Sequence, residues 1–121
     1  AKKEAIGPKD LWDKPLILSR QHRAGSALSL WLKREEADLN IVATYSLLYN
    51  GSILVDEGLG YAITLDKIIN TQGGNLCFRP LIPTLQAGLC VVWKKYQVLT
   101  KASELFLNTL QSNLETAESE A

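Results

Sequence analysis

The hydrophobic pattern of the chain is most regular between Asn40 and Leu65, NIVATYSLLYNGSILVDEGLGYAITL. It opens with an apolar, β-branched run, Ile41-Val42-Ala43-Thr44, and turns through Tyr45 and Ser46. Leu47, Gly51, Leu54, Val55 and Gly58 then share one helical face, and after Gly58-Leu59-Gly60 a second apolar run follows, Tyr61-Ala62-Ile63-Thr64-Leu65. A buried run, an amphipathic helix and another buried run predict a βαβ unit in a parallel sheet. Such crossovers are almost always right-handed, so both strands end at one edge. In open α/β sheets that carboxyl edge holds the ligand crevice.

Before this unit, Lys2 to Lys14 is polar and broken by Gly7-Pro8, which predicts an entry loop with a short turn at Asp10-Leu11-Trp12. Pro15-Leu16-Ile17-Leu18 is a short buried strand with Pro at its first position, where a missing N–H is tolerated. A basic stretch, Ser19-Arg20-Gln21-His22-Arg23, leads to a helix from Ala27 with Leu28, Trp31 and Leu32 on its apolar side. Beyond Leu65, Leu76 to Ile82 reads as a strand, and Leu89-Cys90-Val91-Val92-Trp93 is the most apolar strand candidate of all. Thr100 caps a last helix with the stripe Ala102, Leu105, Phe106, Leu110 and Leu114. The alternation gives an α/β fold: a mostly parallel sheet flanked by helices. Strands near 16–18, 41–44 and 61–65 are parallel, one or two more come from 76–82 and 89–95, and helices lie near 26–37, 46–57 and 101–114.

Composition narrows the reading. The 121 residues make one domain's worth of chain, and 46% apolar content suffices for a core. Thirteen basic and thirteen acidic side chains cancel, so no charge imbalance calls for nucleic acid or an anionic membrane as a direct partner. No apolar run approaches the roughly 20 residues of a membrane span, and AKKEAIGPKD lacks a signal sequence, so a cytoplasmic location is the default. Cys77 and Cys90 stand in apolar contexts and are expected to be buried and reduced. The absence of methionine reads as a processed or cut start, and the chain as a fragment of something longer.

A catalytic constellation is hard to assemble. His22 is the one histidine, and no nucleophile elbow, glycine-rich phosphate loop or metal spacing accompanies it. No catalytic residue, metal site or cofactor is therefore expected. Gly58-x-Gly60 follows a helix and precedes a strand, the reverse of a dinucleotide fingerprint, and reads as a helix C-cap with a tight strand entry. The polar residues just past two strands are more informative. Ser19, Arg20 and Gln21 follow one, and Thr44, Tyr45 and Ser46 the other. If the two strands are parallel neighbours, both sets crowd one edge. Ser46 would cap the following helix, whose N–H groups form a seat for a carboxylate or phosphate, with Arg20 or Arg23 adding a charge-assisted bond. Plain capping and turn chemistry accounts for the same residues equally well.

The ordered landmarks resemble a known family. Ile41-Val42-Ala43-Thr44-Tyr45 followed by Leu54-Val55-Asp56-Glu57-Gly58-Leu59-Gly60-Tyr61-Ala62 is similar to the effector-binding domain of LysR-type transcriptional regulators. So are Asp10-Leu11 before Pro15-Leu16-Ile17, Arg79-Pro80-Leu81 before Val92-Trp93-Lys94-Lys95, and Ala102 with Phe106-Leu107. The resemblance spans about residues 8 to 114. It implies one lobe of a periplasmic-binding-protein-like (type 2) fold, with ligand held between two lobes. Residues 1–88 would be the second lobe, 89–114 the returning strand and helix of the first lobe, and 115–121 a disordered tail. The implied function is that of a ligand-sensing regulatory domain, not an enzyme. The resemblance places the family's ligand contacts on the residues after the Ile41–Ala43 strand, chiefly Thr44, which agrees with the edge argument. Together they predict a small anionic metabolite bound at Ser19, Arg20, Gln21, Thr44, Tyr45 and Ser46. DNA would be reached only through a domain absent from this chain, and no membrane is involved.

The alternative is a solute-binding protein or an enzyme on the same scaffold. A secretory signal or a convergent acid/base set would favour it, and the sequence shows neither. Leu89–Trp93 and the last helix's stripe would lack the first lobe they pack on. Each large side chain left in water forgoes about 1.5–3 kcal/mol. A homodimer pairing the strand or terminal helix across a two-fold is therefore expected here, and a homo-oligomer for the full-length protein.

Overall fold

The computed structural model describes residues 2–22 and 26–120, so Arg23, one of the two cationic candidates, lies outside the described residues. The chain forms two compact units, Ala1–Ala87 and Gly88–Ala121.

In the first unit, three strands make one parallel sheet: β1 (Leu16–Ser19), β2 (Ile41–Tyr45) and β3 (Tyr61–Ala62), in the order β2-β1-β3. The stretch 40–65 is thus a βαβ unit whose two strands flank β1. Because β1 is the central strand, both of its faces are covered, and Leu16, Ile17 and Leu18 are buried. Leu16 and Leu18 join Leu11, Trp31 and Leu32 in the core cluster, while Ile17 points to the opposite face by strand alternation. Gly60 is required where β3 meets β1, since a Cβ there would lie 2.6 Å from the Pro15 carbonyl oxygen.

Helix α1 (Ala27–Leu32) is shorter than the predicted 26–37. Ser26 caps it, its Oγ accepting from the Ser29 N–H, and Lys33 closes it in the left-handed region at φ 53°. The Trp12 indole donates to the Leu32 carbonyl at 2.8 Å, taking one of the orphan acceptors a longer helix would have used. The Trp31 indole donates to the Pro83 carbonyl, tying the same helix end down. Helix α2 (Leu48–Asp56) ends in paired bonds from Gly58 N–H to Val55 and from Leu59 N–H to Leu54, with Gly58 at φ 80°. That is the C-cap read from Gly58-x-Gly60, a Schellman arrangement. Before β1, Asp10 accepts from the Gly7 N–H at 2.9 Å and pairs with Lys3. The Lys3 ammonium and the Gly7 N–H hold its carboxyl below the usual range.

Two predicted strands do not form. Of 76–82, only Leu81 pairs, in a single parallel bridge with Ile6. Residues 89–95 form no strand, because no strand among the described residues pairs with them. Within 88–99 the backbone makes, among the described residues, one bond to other backbone, from Gln97 N–H to the Lys94 carbonyl. Both cysteines, expected to be buried, are exposed, since each lies in one of these unpaired stretches. The second unit's helix, α3 (Lys101–Glu120), runs past Leu114, so residues 115–120 are helical where a disordered tail was expected. No glycine or proline interrupts them, and Glu and Ala favour the helix.

Candidate functional site

The carboxyl ends of β1 and β2 are brought together as the parallel pairing required. Leu18 is the partner of Thr44, Ser19 that of Tyr45, and the Arg20 N–H donates to the Tyr45 carbonyl at 2.9 Å. The turns Ser19–Gln21 and Thr44–Ser46 therefore share one edge of the sheet. Ser19 Oγ accepts from the Gln21 N–H at 3.2 Å, and its carbonyl from the His22 N–H at 2.9 Å, which fixes the first turn. Arg20, Gln21, Thr44 and Ser46 are exposed, and Ser19 is half-buried.

Tyr45 behaves differently. Its side chain is buried, its hydroxyl donates to the Ile63 carbonyl at 2.9 Å, and its ring lies under α2 against Gly51. A Cβ on Gly51 would stand 3.0 Å from that ring, so the small residue lets α2 settle on the end of β2. Tyr45 thus joins β2, α2 and the residue just past β3 below the edge. Ser46 does not cap α2, contrary to expectation: the cap position falls on Leu47, which makes no side-chain cap bond. The helix begins two residues beyond Ser46, and among the described residues its leading N–H groups have no side-chain cap.

A second polar group meets the same edge. The His22 ring nitrogens lie 3.2 Å from Ser26 Oγ and 3.3 Å from Ser29 Oγ, which links the turn after β1 to the start of α1. Ser26, directly before the apolar helical pattern, is the sequence signal for that cap. The pairing with His22 depends on how the loop folds back and has no such signal. The arrangement offers hydroxyls, an amide, a guanidinium and helix N–H groups. It contains neither an activated nucleophile nor, among the described residues, a group of three or more metal-ligating side chains.

A family model decides the assignment: the LysR substrate binding domain matches residues 1–115. The chain belongs to that family. It is a ligand-sensing regulatory domain of the kind carried by LysR-type regulators, and the family is regulatory, not catalytic. Membership implies a small-molecule effector and a DNA-binding domain elsewhere in the regulator. The three-stranded parallel sheet with flanking helices agrees with the periplasmic-binding-protein-like fold of LysR substrate-binding domains. Searches of curated proteins and of solved structures return no match. Among the described residues, no helix is long and apolar enough to cross a membrane.

Proposed function

We propose that this LysR substrate-binding domain senses a small anionic metabolite at the carboxyl edge of its sheet. The bond from the Arg20 N–H to the Tyr45 carbonyl carries the reading, because it makes two polar turns into one surface. Thr44 and Ser46 present hydroxyls there, and Arg20 a cation. The uncapped first turn of α2 adds N–H groups and the positive end of the helix dipole, a combination that favours carboxylate or phosphate. Ser19 and Gln21 hold the first turn in shape. Tyr45 contributes its carbonyl and the floor of the edge.

Residues 1–88 act as one lobe of the ligand cleft, and 89–114 return to the other. The whole regulator works in the cytoplasm as a homo-oligomer and reads DNA through another domain. Losing a hydrogen bond to a charged ligand costs roughly 1.5–3 kcal/mol. Thr44→Val in the full-length regulator is therefore expected to weaken the effector response about tenfold or more. A dose–response curve that does not move rejects the site.

A further inference from the structure

Arg20 and Gln21 are the two central residues of a turn that the His22 N–H closes by donating to the Ser19 carbonyl at 2.9 Å. The Arg20 side chain is exposed and makes no ion pair among the described residues, so its backbone sets where the guanidinium stands. On one side that backbone is held by the bond from the Arg20 N–H to the Tyr45 carbonyl. On the other side the hold passes through the His22 ring. Its Nδ1 lies 3.2 Å from Ser26 Oγ and its Nε2 3.3 Å from Ser29 Oγ, so one ring spans two hydroxyls of the first turn of α1. A neutral imidazole offers one donor and one acceptor, and each hydroxyl supplies the complement by rotating.

The helix at the far end of this link is well anchored. Trp31 and Leu32 are buried, the Trp31 indole donates to the Pro83 carbonyl, and the Trp12 indole donates to the Leu32 carbonyl. We infer that His22 is a positioning residue for anion recognition: by bridging Ser26 and Ser29 it pins the turn to α1 and holds Arg20 at the edge it shares with Thr44–Ser46. The inference rests on the effector reading and adds to it the residue that keeps the cation ordered before an anion arrives. Without the bridge, the turn and its guanidinium have to be ordered on binding, and affinity falls by that cost. His22 touches no anion itself; it acts through Arg20.

Inorganic phosphate, titrated into the 121-residue chain and followed through the amide resonances of Arg20, Gln21 and residues 46–48, tests it. Phosphate is expected to move both sets in the parent. His22→Ala should raise the phosphate dissociation constant about three- to tenfold. Ser29→Ala removes one end of the bridge, leaves the Ser26 cap in place and should raise it less. His22→Gln, which restores a donor and an acceptor, should recover most of the loss. In an Arg20→Ala background, His22→Ala should add nothing, because the two changes act on one cation. If phosphate moves neither set in the parent, the effector reading fails and the inference falls with it. Parent shifts whose midpoint His22→Ala leaves unchanged overturn the inference alone. So does a His22→Gln variant as weak as His22→Ala, or a loss that persists undiminished without Arg20, as for a histidine that only stabilises the fold. Where His22→Ala fails to fold, Ser29→Ala decides: an unchanged midpoint overturns the inference.

Discussion

Leu16-Ile17-Leu18 lies between two parallel neighbours, and Leu16 and Ile17 are fully buried. Leu89-Cys90-Val91-Val92-Trp93 is longer and at least as apolar, yet Leu89 and Val92 are 85% and 83% exposed and the segment pairs with no strand among the described residues. The difference lies in the company each run keeps. On both sides of β1 a strand supplies hydrogen bonds, and α1 and α2 supply cover. The second unit offers residues 89–93 one helix and no strand. Apolar content marks a segment that needs burial; a strand exists only where another backbone completes the ladder.

The contrast can be broken by paired truncations. Leu16→Ala should cost about 2–5 kcal/mol of unfolding free energy, the usual range for emptying a packed core site. Val92→Ala should stay within about 0.5 kcal/mol in the same urea titration. Comparable losses at both positions would mean that residues 89–93 are buried in solution as β1 is.

A finer division runs through the candidate edge itself. Tyr45→Phe removes the hydroxyl's bond to the Ile63 carbonyl but keeps the ring against Gly51, so about 0.5–1.5 kcal/mol of stability should be lost. The effector dose–response should then match that of the unaltered regulator, in contrast to Thr44→Val. A shift as large as that of Thr44→Val would place the Tyr45 hydroxyl on the ligand.

The smallest effect concerns Asp10, which belongs to the first unit. Its carboxyl is held below the usual range when folded, so at mildly acidic pH the unfolded chain binds more protons, and stability rises with pH there. The contribution is complete above the ordinary carboxylate value and disappears as pH falls through the lowered one. Asp10→Asn should therefore be less stable than the parent at neutral pH, with the gap closing on acidification. Urea midpoints across that range check it, and a constant gap would assign the loss to something other than the charge.

Much of the first unit was legible in the residues. The runs at 16–18 and 41–44 announce strands by their β-branched and apolar content, the run at 61–65 one of which only Tyr61–Ala62 pairs, and Gly58 and Gly60 announce a cap and a close approach. The edge where Ser19–Gln21 meets Thr44–Ser46 followed from parallel order alone. Local chemistry decides such features, because a C-cap needs only its own turn and a buried strand needs an unbroken apolar run. Other features required the assembled chain. Helix α1 stops at Leu32 because an indole from Trp12 takes its carbonyl, twenty positions away in sequence. Tyr45 turns inward because Ile63 and Gly51 receive it, and Ser46 loses its capping role because α2 starts later than its pattern suggests. Residues 89–93 have every property of a strand except a partner. The sequence alone determined which segments seek burial and where the glycine turns fall; the tertiary structure decided which of those segments found a neighbour, because a hydrogen-bond ladder and a covered face are properties of two pieces of chain and never of one.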